Sequence, residues 1–331
     1  MSKIVVLLTL LLSLLYGENE DEYELGNGIQ VGSLPLYVGG YFSVDYKHMD
    51  DYNRYRVDDL ALLAYGNYDK FSYLVELEFK EFYSYSIKSD SKDISRDKKL
   101  YTERVYLDYN LDENYMFRVG KYNSPIGFWN LLPINVLRET TSNPMSSYIL
   151  YPKFTTGMSA SYSSYSEGEL KIDLILQHNN DIDAEYNNYS IDEHYAFGLS
   201  YEENEYTYKL NGGYFHSVDD TYDENLYYFL LSAKYETDTY QLQAEVGTQR
   251  DKNIFTTKYA GYLQGTYSFT PQHMGILRLE SYDNELLGLV DSSAVVAYTY
   301  RPLYPIALKS EYQFHKIKEE NKFLFSFSVL F

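Results

Sequence analysis

The feature that most constrains this chain is an alternation of apolar and polar residues that returns about sixteen times between residues 35 and 331. Residues 240–248 place tyrosine, leucine, alanine and valine at every second position, with polar residues between them. Residues 71–79 repeat the pattern, with Leu74 as the exception. Because successive side chains of a β-strand point to opposite faces, each segment has one apolar and one polar face. The pattern predicts strands of about ten residues that separate lipid from water.

The composition agrees with a membrane barrel. The chain has 41 tyrosines among 331 residues, and its mean hydropathy is -0.42. After the N-terminus, no stretch approaches the roughly 18 consecutive apolar residues of a membrane-spanning helix. Membrane barrels have a wet interior and aromatic rims, whereas a soluble all-β protein is the plainer alternative. We predict an all-β fold, a transmembrane antiparallel β-barrel of about 16 strands.

The last ten residues favour the barrel over the soluble alternative. Phe323, Phe325, Phe327, Val329 and Phe331 fall on one face, and the chain ends on that last phenylalanine. In a soluble protein this would be a long, apolar, exposed edge that promotes aggregation. In a barrel the same strand pairs with the first strand and faces outer-membrane lipid.

The N-terminus predicts export. Lys3 precedes a largely apolar run over residues 4–15, which is long enough for a secretory signal and too short to span a membrane. Gly17 is the small residue at the expected cleavage site. We therefore divide the chain into a signal peptide (1–17), an acidic periplasmic lead (18–34) and the barrel (35–331). The absence of cysteine excludes a disulfide scaffold, a thiolate metal site and a thiol nucleophile.

The segment of residues 120–152 interrupts the alternation. It contains Trp129, the only tryptophan, together with Pro125, Pro133 and Pro144. Proline lacks a donor for the strand ladder, so this segment cannot be a central strand. It is also rich in isoleucine and leucine, which a solvated loop would leave exposed. Short turns alternate with longer polar loops along the chain, and we expect this long third outer loop to fold into the lumen and narrow the pore.

These features together resemble a bacterial general porin. The resemblance rests on the signal peptide, about sixteen alternating strands, the long third outer loop and the terminal Phe331. Residues 117–130 are also similar to a segment of the phosphate-selective porin family, but no dense ladder of lysines accompanies them. The resemblance implies a Gram-negative outer-membrane location and a homotrimer. It also implies that the barrel-assembly machinery recognises the chain through Phe331.

The polar faces of the strands and the long loop supply the candidate pore-lining and constriction residues. They are Lys80, Arg104, Asp108, Arg118, Trp129, Arg138, Glu139, Lys171, Asp173, Glu245, Arg278, Glu280, Lys309 and Glu311. We expect Arg104 and Arg118 near the constriction, opposite acidic groups of the loop such as Glu139, since like-signed arginines need such partners or water. The alternative for each residue is a solvated side chain that is ion-paired for stability. Most of the net charge of -20 falls in the outer loops and the lead, where it would attract cations.

The sequence therefore predicts a porin that lets ions and small hydrophilic solutes diffuse passively, without a cofactor or a metal. A substrate-selective channel for a sugar, an anion or a carboxylate is the main alternative, and Trp129 would then contact sugar. A surface adhesin or a barrel enzyme is a weaker alternative, because an enzyme needs a histidine in a catalytic constellation. The six histidines, none in a recognisable motif, are His48, His178, His194, His216, His273 and His315. Net acidity argues against nucleic-acid binding.

Overall fold

A computed structural model describes residues 24–89, 91–218, 223–317 and 320–331, and the expected signal peptide lies outside these ranges. The described strands are β1 Ile29–Gln30, β2 Tyr37–Met49, β3 Tyr52–Tyr68, β4 Phe71–Lys88, β5 Ser91–Ser95, β6 Tyr101–Asn110, β7 Tyr115–Asn123, β8 Phe154–Tyr165, β9 Glu169–His178, β10 Ile191–Glu203, β11 Tyr206–Val218, β12 Asp223–Glu236, β13 Tyr240–Arg250, β14 Phe255–Thr270, β15 His273–Asn284, β16 Leu289–Tyr300, β17 Ile306–His315 and β18 Lys322–Leu330. Helical turns occupy Trp129–Leu131, Asn135–Leu137, Ser146–Ile149 and Ala184–Tyr186. None of the described helices has the length and apolar character needed to cross a membrane.

Sixteen of the described strands close into one antiparallel barrel, which confirms the predicted fold class. Each barrel strand pairs with the next one along the chain, and β18 returns to pair with β2. The two short strands are additions, since β1 pairs with β2 and β5 pairs with the end of β4. β1 lies within the segment that we expected to be an acidic lead.

The terminal residue completes the barrel seam. Phe331 donates its N–H to the carbonyl oxygen of Gly40 at 2.8 Å, and its own carbonyl accepts the Gly40 N–H at 2.7 Å. A Cβ atom on Gly40 would lie 2.3 Å from the carbonyl oxygen of Ala61 and 3.0 Å from the Phe331 ring. Glycine is therefore required where the first barrel strand, its neighbour and the chain end approach one another.

The two faces of the strands are reversed relative to a soluble protein. On β13, Leu242 and Val246 are exposed on the outside, whereas Gln243, Glu245 and Gln249 are buried inside. The same alternation along the other strands surrounds the barrel with an apolar surface. Tyrosine pairs such as Tyr206 and Tyr235, whose ring centroids are 4.8 Å apart, lie at strand ends as expected of aromatic belts.

Short turns and longer loops lie at opposite ends of the barrel, as the sequence predicted. One end carries turns such as residues 69–70, 204–205 and 271–272. The other end carries the segments of residues 124–153 and 179–190, the first of which we call the long loop. The barrel thus has one end with short connections and one end from which the long loop enters.

Register shifts on β3 and β6 break the alternation and redirect charged side chains. On β3 the two residues Asp58 and Asp59 lie opposite the single residue Ser43 of β2, and on β6 the ladder to β4 skips Glu103. An extra residue in one strand places two consecutive side chains on the same face. This irregularity interrupts the two-residue period of β3 and brings Asp58 and Asp59 to one side of the sheet.

Because the outer face of the barrel wall is apolar and the inner face is polar, we expect an added arginine to affect stability differently on the two faces. Leu263→Arg, at an exposed outward position of β14, should destabilise the barrel in lipid vesicles by about 2–4 kcal/mol. Gln241→Arg is the matched control, because it lies on the inward face of β13 beside Glu236 and Asp238. Urea titration of the folded fraction, followed by the mobility of unheated samples in SDS gels, measures both. Equal losses for the two variants would contradict the assignment of the faces.

Candidate functional site

The long loop begins after β7, ends before β8 and packs against inward-facing apolar side chains. These side chains form two clusters. The first joins Ile126, Ile149, Leu150 and Tyr151 of the loop to Phe215, Leu226, Tyr228 and Leu230 of the wall. The second joins Ile134 and Val136 of the loop to Tyr41, Ala61, Leu63 and Ala307 of the wall. Full burial of each such aliphatic side chain contributes about 1.5–3 kcal/mol, so the apolar sequence of the loop holds it against the wall.

Carboxylates of the wall accept hydrogen bonds from the loop backbone. Glu311 accepts the N–H groups of Thr141 and Ser142 through one oxygen at 3.0 and 3.1 Å. Glu245 accepts the N–H groups of Phe128 and Trp129. Glu280 accepts the N–H of Met145 at 3.0 Å. These bonds satisfy loop donors that no strand ladder reaches.

Cations of the wall donate to the same loop. Arg278 is fully buried and donates to the Thr140 hydroxyl at 2.7 Å and to the Ser142 hydroxyl at 2.6 Å. Lys309 donates to the Asn135 side-chain oxygen at 2.9 Å and also to its backbone carbonyl. Wall charges of both signs therefore hold the loop in place.

This arrangement gives five candidate residues a contact with the long loop. The sequence placed Glu245, Arg278, Glu280, Lys309 and Glu311 on the inward face, and the structure does so too. Each of them is hydrogen-bonded to the long loop and so acts as an anchor for it.

Trp129 is also an anchor. Its side chain is 2% exposed, its ring meets Tyr262 edge-on at 6.3 Å, and the Arg278 guanidinium lies 5.4 Å from the ring centroid. Packing on two sides leaves little of the indole face for a sugar.

The long loop leaves a cavity of about 340 Å³ between itself and the wall of β2, β3, β4 and β6. We call this space the acidic cavity, because charged side chains of both signs line it with carboxylates in excess. The carboxylates are those of Asp58, Asp59, Glu78, Glu103 and Glu185, and the cations are Lys80, Arg138 and Lys153.

Hydroxyl groups, rather than cations, donate to the central carboxylates. Tyr41 donates to Glu103 at 2.9 Å and to Glu78 at 3.2 Å, and the Tyr186 hydroxyl reaches the same two carboxylates. Ser43 similarly donates to Asp59 at 2.7 Å. These hydroxyl groups hold the carboxylates in position.

The cations of the acidic cavity include two from the long loop. The Arg138 guanidinium donates to the carbonyl oxygens of Leu132 and Pro133, and Lys153 lies at the end of the loop. Burial, and then the nearby positive charge of Arg138, lowers the pKa of the Lys153 ammonium to about 8. Lys80 extends from the wall, with its nitrogen 4.9 Å from the centroid of the Tyr186 ring.

Arg104 and Arg118 have other partners than those expected. Arg104 pairs with Glu76, and Arg118 forms two hydrogen bonds with Asp108 at 2.6 and 2.8 Å. Glu139 is not opposite either arginine, since it lies near the short-turn end beside Glu205 and Glu236. The two arginines have these partners because neighbouring strands place Glu76 and Asp108 directly across from them.

Sequence reasoning missed several residues of the acidic cavity. Asp58 and Glu103 are skipped by the strand ladder, and Lys153 and Tyr186 come from loops that alternation does not describe. A signal was present in the sequence, since the adjacent charges of Asp58 and Asp59 interrupt the two-residue period. The remaining candidates, Lys171 and Asp173, lie 3.6 Å apart in a second, smaller cavity.

The histidines lie in different environments. His194 is buried and lies between the hydroxyl groups of Thr155 and Tyr228, at 3.0 and 2.9 Å. His216 lies between Asp192 and Asp223, at 2.8 Å from each. In the part of the chain that the structure describes, no three His, Asp or Glu side chains are grouped to hold a metal ion.

No family model and no curated protein sequence matches the chain. Its fold does match solved structures. OmpF of Salmonella typhi, in complex with daunomycin, is 9% identical with a TM-score of 0.61, over 89% of this chain and 97% of that one. An anion-selective porin of Comamonas acidovorans is 11% identical with a TM-score of 0.61, over 89% and 99%. OmpT, an outer membrane protein of Vibrio cholerae in its trimer form, is 10% identical with a TM-score of 0.59, over 89% and 99%. The chain thus has the barrel fold of porins.

The carboxylate anchors predict that Glu245→Ala loosens the long loop. Removing the acceptor leaves the Phe128 and Trp129 N–H groups without a partner, at a cost of about 1–3 kcal/mol. Because Trp129 is the only tryptophan, its emission should shift to the red and become easier to quench with acrylamide. Glu236→Ala is the control, since Glu236 pairs with Lys234 near the short-turn end. Unchanged Trp129 fluorescence in Glu245→Ala would contradict the anchoring.

Proposed function

We propose that this protein is a passive channel of the Gram-negative outer membrane for ions and small hydrophilic solutes. The observation that carries the proposal is the acidic cavity, in which charged side chains of both signs line a narrow space inside a closed barrel. The porin fold of the structural neighbours supports it, and so does the apolar outer surface of the barrel. The long loop is the constriction in this proposal.

The charge of the acidic cavity favours cations. Five carboxylates and three cations line it, so acidic side chains are in excess. The carboxylates of Asp59, Glu78 and Glu103 extend from the wall, whereas Arg138 and Lys153 extend from the loop. Opposite charges on the two sides orient polar solutes as they pass. The resulting channel is weakly cation-selective and accepts small hydrophilic molecules.

The proposal also covers how the barrel is inserted into the membrane and how its subunits associate. The apolar surface contacts outer-membrane lipid, and the Phe331 seam is the end that the barrel-assembly machinery recognises. We include a homotrimer in the proposal, and a structure of similar fold is described as a trimer form. The substrate-selective alternative for sugars loses support from the packed position of Trp129.

The proposal predicts stepwise conductance of the purified protein in a planar bilayer, with a reversal potential of cationic sign under a KCl gradient. Asp59→Asn combined with Glu103→Gln should reduce the ratio of cation to anion permeability roughly two- to fivefold. Each charge within about 4 Å of a hydrated ion contributes about 1 kcal/mol in water, and salt screens part of this.

The matched control is Asp112→Asn, in the short turn between β6 and β7, where the carboxylate caps backbone N–H groups away from the cavity. No conductance from folded protein would overturn the channel. Conductance with an unchanged permeability ratio in the double variant would overturn the acidic cavity as the selective region.

The lowered pKa of Lys153 predicts a pH dependence of selectivity. As the pH rises through about 8, Lys153 loses its positive charge, so cation selectivity should increase between pH 7 and pH 9. The reversal potential measured across this range tests the sign. Lys153→Met should be more cation-selective at pH 7 and should lack this step. A wild-type step that persists in Lys153→Met would assign the titration to another group.

A further inference from the structure

A second cavity, of about 150 Å³, lies on the other side of the long loop and differs in charge from the first. The inward faces of β7 to β11 form its wall, and Pro125 and Leu131 of the loop close it. Arg118, Lys171 and Lys209 line it together with one carboxylate, that of Asp173. We call this space the basic cavity.

The three cations have N–H donors beyond those that bind neighbouring protein groups. Arg118 uses Nε and Nη2 on Asp108, which leaves its Nη1. Lys209 donates to the Gly127 carbonyl oxygen at 3.0 Å, and an ammonium group has three N–H donors. Lys171 lies 3.6 Å from Asp173, whose same oxygen also accepts the Ser161 hydroxyl at 2.5 Å.

A buried amide in the same cavity points to a ligand independently. The side chain of Asn123 is part of the lining and is only 8% exposed. Among the residues that the structure describes, neither its amide nitrogen nor its amide oxygen has a hydrogen-bond partner. Buried polar groups in folded proteins are nearly always paired, and the Asn123 amide N–H is a donor that an acceptor in this cavity would satisfy.

We propose that the basic cavity binds a small oxyanion, a group such as carboxylate or phosphate. The Asn123 amide N–H, the Lys209 ammonium and the free Arg118 nitrogen are donors, and an oxyanion offers several acceptor oxygens to separate donors. A neutral solute would not need three cations, and a single halide ion would not satisfy separated donors as well. The cavity accommodates a group of a few atoms, so the site recognises the anionic group of a solute.

The test measures binding directly and does not depend on conduction. Purified, folded full-length protein in detergent is dialysed to equilibrium against radiolabelled inorganic phosphate and, separately, labelled acetate, with chloride as the competitor. The variants are Lys209→Met, Lys171→Met and Asn123→Leu. Lys258→Met is the control, because Lys258 pairs with Glu285 at the other end of the barrel. The mobility of unheated samples in SDS gels establishes that each variant is folded.

We expect Lys209→Met and Asn123→Leu each to raise the Kd for phosphate or acetate about tenfold, with Lys258→Met unchanged. Should a lysine variant fail to fold, Asn123→Leu still decides, since it removes no charge. Absence of phosphate and acetate binding to the wild type would overturn the proposal, as would competition by chloride equal to that by acetate. Binding without bilayer conductance would support the oxyanion site and contradict the channel. Conductance without binding would support the channel and contradict the oxyanion site.

Discussion

The structure depends on how the backbone of the long loop is satisfied inside the barrel. A buried peptide group without a partner costs about 1–3 kcal/mol, and a loop of this length carries many of them. The wall meets this demand with charged side chains: Glu245 and Glu311 accept from loop N–H groups, and Arg278 and Lys309 donate to loop oxygens. Hydroxyl and apolar contacts complete the docking.

The anchors also determine which charged side chains of the wall are not bound to the long loop. Wall residues on β13 to β17 are bound to the loop, whereas Asp59, Glu78 and Glu103 on the opposite wall accept hydrogen bonds from hydroxyl groups. The loop thereby separates the interior into the acidic cavity and the basic cavity. Carboxylates are in excess in the first cavity and cations in the second, so the two spaces differ in the sign of the charge that predominates.

Much of the fold was predictable because its signal is local. Leu242 and Gln243 point to opposite sides whatever the rest of the chain does, since alternation follows from strand geometry. The inward position of Arg278 and Glu311 was predictable for the same reason. Their role was not, because an inward side chain meets water or a loop according to the path of residues far away in sequence. Arg104 and Arg118 show a further limit, since their partners depend on the register between strands.

The sequence by itself determined the sixteen strands, their apolar and polar faces, and the apolar loop that needs a surface to cover it. Only the tertiary structure decided which charges line the open cavities. The shifts at Asp58 and Glu103, the docking of Arg138 and Lys153, and the unpaired amide of Asn123 all result from contacts between distant segments. Strand periodicity is a property of the backbone at each residue, whereas bulges and loop paths are set by the sum of many long-range contacts, which no local pattern contains.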